Sequence, residues 1–141
     1  MLANVTYNNP EITRKTDALV GKPYTLRQRW DLRGIGSPRL VIRESSPEIR
    51  NLLLLDNNRD TCNIELRPGG IIVGFRSLLE SYALVIPYYK LSLYKGKSRE
   101  YSIYKDHFFI MVGAGNPGVH QFMSKVLNLK HELRSHFVDD L

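Results

Sequence analysis

The sequence predicts an α+β fold in which a strongly bent antiparallel sheet, or partly open barrel, is capped by a C-terminal amphipathic helix. Three observations lead there. Between Cys62 and Val112, apolar and polar residues alternate in short runs separated by turn residues, the period of half-buried strands. No helical pattern interrupts them, so successive strands are expected to pair antiparallel as a meander. After Pro117 the period lengthens: Val119, Phe122, Val126, Leu129, Leu133 and Phe137 recur at spacings of three and four, the stripe of an amphipathic helix.

The elements follow in order. Asn9-Pro10 reads as the cap and first turn of a short helix to about Val20, with Gly21 as its stop. From Tyr24 the period is two. Tyr24, Leu26, Trp30 and Leu32 fall on one face, with Gln28 the polar exception, and Thr25, Arg27, Arg29, Asp31 and Arg33 on the other, which predicts a half-buried strand. Gly34, Gly36 and Pro38 break it, and Arg39 to Arg43 resumes as a short strand. Ser45-Ser46-Pro47 marks a boundary or surface loop. It divides the chain into a basic N-terminal segment, residues 1–45, and a main domain, residues 46–141. The first either stands as an arm or adds its strands to the domain.

Sheet is expected from Ile49 onward. The apolar run Ile49 to Leu55 closes at the turn residues Asp56-Asn57-Asn58. Cys62, Ile64 and Leu66 then alternate with Asn63, Glu65 and Arg67. Pro68-Gly69-Gly70 is expected to supply the positive φ angles of a tight reversal into Ile71 to Phe75. Tyr82 to Ile86 is a further strand, and Pro87, which cannot donate to a ladder, belongs at an edge, bulge or bend. Tyr89, Leu91 and Leu93 alternate with Tyr88, Lys90, Ser92 and Tyr94. A turn at Lys95 to Ser98, a strand through Tyr101 and Ile103, and a reversal at Lys105-Asp106-His107 lead into Phe108 to Val112. The last helix is capped by Asn116, carries Pro117 in its first turn, and ends among Lys130, His131, Arg134 and His136, which suit the negative end of its dipole.

A bent sheet has an open end lined with apolar side chains, and one helix can plug it. With "RPGG" before "IIVGF", then "ALVIPYYKLSLYKG", the hairpin around Lys105 and the closing helix, residues 49–137 resemble the pleckstrin-homology-like (PH-like) family, including its bacterial members. The resemblance implies a binding module, since such domains take lipids, peptides or other proteins, and many serve assembly. The basic phosphoinositide motif of eukaryotic relatives does not map onto this chain.

Composition and motifs exclude several chemistries. With 43% hydrophobic and 24% charged residues the 141-residue chain is ordinary globular material. One cysteine, Cys62, rules out an internal disulfide and a cysteine-based zinc cage. Cys62 lies on the apolar side of its strand and reads as a small hydrophobe. Gly113 to Gly118 matches G-x-G-x-x-G between a strand and a helix, but no second parallel strand follows, so it reads as a turn whose free N–H groups near Gly115 and Gly118 can hold at most an anion. His131 and His136 are five apart, about 140° around a helix, and do not make a zincin site. Neither a P-loop nor a nucleophile elbow is present. No enzyme activity, cofactor or metal is expected. The absence of a long apolar run and of a leader-type N-terminus predicts a cytoplasmic protein.

Charge and aromatics carry what remains. The net charge is +6, with eight Lys/Arg against four Asp/Glu in residues 1–45. Tyr82 to Lys105 holds six of the eight tyrosines and five cations against one acid, Glu100. The candidate anion- or partner-binding surface is therefore Tyr88, Lys90, Tyr94, Lys95, Lys97 and Arg99, with Arg27 and Arg29 as a second wall or simply a solvated strand face. Tyrosine also favours strands, and lysine on outer faces and edges blocks aggregation. The function expected is a non-enzymatic binding or scaffold module engaged in protein–protein contact or self-association at exposed strand edges. The alternative is a small single-stranded nucleic-acid-binding protein whose rings stack on bases while lysines follow phosphates. Acidic phospholipid is a third class of partner.

Overall fold

The computed structural model describes residues 1–55, 60–97 and 99–139. In chain order the elements are β1 (Leu2–Asn4), α1 (Pro10–Val20), α2 (Leu26–Asp31), β2 (Leu40–Ser45), α3 (Pro47–Leu54), β3 (Thr61–Arg67), β4 (Gly70–Ser77), β5 (Glu80–Pro87), a 3₁₀ turn (Tyr88–Lys90), β6 (Ser92–Lys95), β7 (Glu100–Lys105), β8 (Phe108–Gly113) and α4 (Pro117–Asp139). The strands form one eight-stranded antiparallel sheet in the order β1-β5-β4-β3-β2-β8-β7-β6, not closed into a barrel. The α+β class and the closing helix agree with expectation.

The sheet has two wings hinged on β2. Leu40 and Val41 pair with Cys62 and Thr61 of β3, whereas Ile42, Glu44 and Ser45 pair with Val112, Met111 and Ile110 of β8. The register slips between Ile42 and Glu44, so Arg43 sits at a bulge, the device that bends a strand. The bend shows in the core: inward residues of one wing (Ile64, Leu66, Val73) and of the other (Ile103, Ile110, Val112) join a single cluster with Val119, Phe122, Met123 and Val126 of α4. The outer face of β4 and β5 is covered by α1, with Val20 fully buried, and β1 extends that wing by pairing with β5. Residues 1–45 thus contribute one outer strand, one covering helix and the hinge. Among the described residues no helix is long and apolar enough to cross a membrane.

Helix α1 forms as expected, with Asn9 Oδ1 accepting from the N–H of Glu11 and Ile12 and Gly21 at its end. Four expectations fail outside the candidate surface. Tyr24 to Arg33 is not a strand; Leu26–Asp31 is helical because Thr25 and Gln28 close a capping box, Thr25 N–H donating to Gln28 Oε1 (2.9 Å) and Gln28 N–H to Thr25 Oγ (3.3 Å). No residue of that helix is buried, so the alternation marked no core. Ile49 to Leu55 is not sheet either. Pro47 starts α3, and Ile49 and Leu53, four apart, are its buried face, a period that an unbroken run of leucines hides. Ser45-Ser46-Pro47 is no surface loop: both serines are buried, and Ser46 continues the ladder, its N–H donating to the Phe109 carbonyl (2.9 Å).

The fourth concerns the β3–β4 reversal. It forms, with Arg67 opposite Gly70, but neither Gly69 nor Gly70 has a positive φ. Gly70 is required for close approach: a Cβ there would fall on the Ile86 carbonyl and the Val20 side chain and come within 2.9 Å of Pro87 Cα. The turn expected at Asp56-Asn57-Asn58 lies outside the described residues, as do Ser98 and the side chains of Arg134, His136 and Phe137.

Candidate binding surface

The candidate residues sit on the β6–β7–β8 wing and on α2. In the wing, alternation turns Leu93, Tyr101, Ile103, Ile110 and Val112 inward and Ser92, Tyr94, Ser102, Tyr104, Phe109 and Met111 outward. The register then assembles the outward aromatics. Tyr104 lies directly opposite Phe109, and their rings stack at 5.6 Å and 22°. Tyr94, diagonal to Tyr104, meets it edge to face at 5.7 Å and 72°. Three rings on three adjacent strands make a continuous stripe, with Tyr94 61% and Tyr104 38% exposed.

Cations border the stripe. Lys95, Lys97 and Arg99 are exposed at the β6–β7 hairpin, and among the described residues none of them pairs with a carboxylate. Arg99 holds φ +53, which lets the chain reverse after Gly96 N–H donates to the Glu100 carbonyl (2.8 Å). Lys90, on the 3₁₀ turn, lies 3.7 Å from Asp106 Oδ2. Asp106 also accepts from buried Lys105 (3.3 Å), and that bond first of all holds its exposed carboxyl below the usual range. Lys105 in turn lies over the Phe108 ring, 5.8 Å from its centre. Arg43 and Glu100 pair across the bulge at 3.5 Å.

Tyr88 is a correction. The sequence placed it on one outer face with Lys90 and Tyr94; it is instead 2% exposed and donates from its hydroxyl to the Arg67 carbonyl (3.3 Å). Pro87 is the reason: β5 ends there and the 3₁₀ turn that follows rotates Tyr88 inward and Tyr89 outward. Burial raises the Tyr88 hydroxyl pKa. Tyr104 and Phe109 are the members that sequence reasoning missed. The signal was available, since a two-residue reversal at Asp106-His107 forces Tyr104 opposite Phe109.

Arg27 and Arg29 lie on α2, where Arg29 Nε donates to the Tyr24 carbonyl (3.2 Å). No hydrogen bond or ion pair among the described residues joins α2 to the β6–β7 hairpin. The other chemical leads close. Cys62 is buried and its thiol is pushed up to about 12, which leaves it without nucleophilic character. His120 shares a hydrogen bond with the Tyr101 hydroxyl (3.0 Å), and His107 lies 3.4 Å from Glu48. Among the described residues no three potential ligands converge on a metal position. At the β8–α4 junction, Gly118 N–H already donates to Asn116 Oδ1 (2.8 Å) and is not free to hold an anion. No family model, curated protein or solved structure matches this chain.

Proposed function

We propose that this protein is a non-enzymatic, PH-like binding or scaffold module that contacts another protein through the outer face and edge of its β6–β7–β8 wing. A bent sheet whose two wings share one core with a closing helix supports the PH-like element of the reading. The observation that carries the partner reading is the Tyr94–Tyr104–Phe109 stripe, exposed at its two tyrosines and bordered by Lys95, Lys97 and Arg99, which no carboxylate among the described residues neutralises. Tyrosine anchors with a charged rim are the composition of protein interfaces. Because β6 ends the sheet, an extended partner segment can add alongside it, and the bordering cations select an acidic one. The same cations disfavour pairing β6 with a second copy of itself, where like charges would meet.

The single-stranded nucleic-acid reading is weaker for a geometric reason. Tyr104 and Phe109 already cover one face of each other, so the stripe offers few free ring faces to bases. A labelled alternating Glu/Val peptide and a labelled oligo(dT), titrated at about 50 and about 200 mM salt, separate the two. We expect the peptide to bind and Tyr94→Ala with Lys97→Glu to weaken it about tenfold or more. Tighter binding of oligo(dT) than of the peptide at the higher salt would overturn the proposal. So would sedimentation showing that the stripe is buried in a dimer.

A further inference from the structure

Helix α2 is displayed, not packed. Its six residues include none that is buried, and Leu26 and Trp30 are 82% and 84% exposed. Four residues apart, they share one side of the helix. Single exposed apolar residues are common, but a tryptophan and a leucine paired on a turn of helix form an apolar knob. Three arginines surround it, Arg27, Arg29 and Arg33, against one acid, Asp31. Arg33 (φ +59) and Gly34 (φ +96) end the helix sharply, so that Leu26, Arg29, Trp30, Arg33 and Gly34 line one shallow hollow of about 540 Å³.

The knob keeps its shape without burial. The Thr25–Gln28 capping box starts it, and the Arg33 and Gly34 N–H groups bond back to the carbonyls of Trp30 (3.0 Å) and Arg29 (2.9 Å). Its base is fixed: Lys125 of α4 donates to the Gly34 carbonyl (3.2 Å), and Leu66 N–H donates to the Ile35 carbonyl (2.8 Å). A hydrogen-bonded base under a largely exposed apolar tip flanked by arginines is an arrangement for presenting that tip.

We infer that α2 docks this protein onto the surface of an anionic phospholipid bilayer. Leu26 and the Trp30 indole enter the boundary between headgroups and acyl chains, where an amphipathic ring is most at home. Arg27, Arg29 and Arg33 remain at the headgroups, their stems along the apolar layer and their guanidinium groups on lipid phosphates. Charge complementarity selects the anionic surface. The hollow beside the two apolar side chains is shallow and open, with no enclosed cleft to seat one particular side chain, and that favours a bilayer over a folded protein. A leucine beside the indole, where a stacking site would place a second ring, favours it over a base. Two side chains insert shallowly, so the association is reversible.

Trp30 is the only tryptophan, so intrinsic fluorescence excited at the indole reports this site alone. With vesicles of phosphatidylcholine containing about a third phosphatidylserine, the emission should shift to the blue and become shielded from acrylamide; pure phosphatidylcholine should do neither. Leu26→Glu, and Arg27→Gln with Arg29→Gln, should each weaken vesicle binding about tenfold or more while the melting curve stays put, since none of these side chains is buried. Lys95→Gln with Lys97→Gln should change it less than about threefold, which separates this site from the β6–β8 partner surface. Equal shifts on neutral and anionic vesicles, no shift on either, or equal loss in the Lys95/Lys97 variant would each overturn the inference. A shift elicited by oligo(dT) or poly-glutamate but not by vesicles would overturn it in favour of another partner.

Discussion

At Gly70 one hydrogen in place of a methyl group decides whether three segments can meet. The β3–β4 reversal, the C-terminal end of β5 and the last residue of α1 converge there, with Pro87 Cα 2.9 Å from where a Cβ would stand. Gly70→Ala must therefore move backbone, and overpacking of that kind costs about 1–3 kcal/mol. Gly36 offers the contrast, since nothing lies within 4 Å of its Cβ position and its φ is not positive. Urea unfolding should show Gly70→Ala losing that much while Gly36→Ala stays within about 0.5 kcal/mol of the parent. Equal effects would mean that the Gly70 contact carries no weight. Arg67 is the polar counterpart. Its guanidinium, mostly buried, reaches Asp17 (3.1 Å), the Gly21 carbonyl (2.9 Å) and Glu65 (2.5 Å), tying α1 to the sheet. Each of these residues was visible in the sequence as a turn glycine or a strand cation; their joint role was not, because it depends on segments up to 50 residues distant along the chain.

Elements differ in what holds them, and that difference explains which ones the sequence betrays. The strands β3 and β4 and the helix α4 bury one face more deeply than the other, so their periods of two and three-to-four are written by the core itself. β5, covered by α1 on its outer side, is instead buried without a break from Ala83 to Pro87. α3 buries only Ile49 and Leu53, and the four consecutive leucines Leu52 to Leu55 mask that spacing. In α2, with no core contact, the capping box decides the structure and the hydrophobic pattern is free to mislead. The candidate surface was legible to the same degree. Tyr94, Lys90, Lys95, Lys97 and Arg99 are exposed on the expected wing, whereas Tyr88 turned inward at a proline whose effect on the following residues a periodicity cannot give. If the cap alone sustains α2, Thr25→Ala should remove about 0.5–2 kcal/mol from the helix. The loss should stay local, appearing as faster amide exchange of residues 28–34 with an unchanged melting temperature. A drop in global stability of the same size would show that α2 is coupled to the core after all.

For the whole molecule, the one core serving two wings and a closing helix holds groups whose ionisation at high pH works against the fold. Burial raises the Cys62 thiol to about 12 and raises the Tyr24 and Tyr88 hydroxyls, and the Glu80 hydrogen bond raises Tyr82. These are groups that are neutral when protonated. In the unfolded chain the thiol ionises near 9 and the phenols near 10, while the folded protein keeps their protons. Between the unfolded and folded values the native state holds more protons, so stability falls as pH rises. Below about pH 8 the contribution is present in full, and the thiol's share is gone only above about 12. Cys62 and Tyr88 dominate, because Tyr24 and Tyr82 are only partly buried. Both belong to the core that the wings share, so their ionisation should loosen the two wings together. Far-UV circular dichroism against urea at stepped pH should show a single transition whose midpoint declines steadily above about pH 9. Cys62→Ala should flatten the onset of the decline, between about 9 and 10, even though the variant starts less stable from the cavity it leaves. A midpoint independent of pH up to about 11 in the parent, or a two-step transition in which each wing unfolds separately, would show that they do not share the core on which the fold depends.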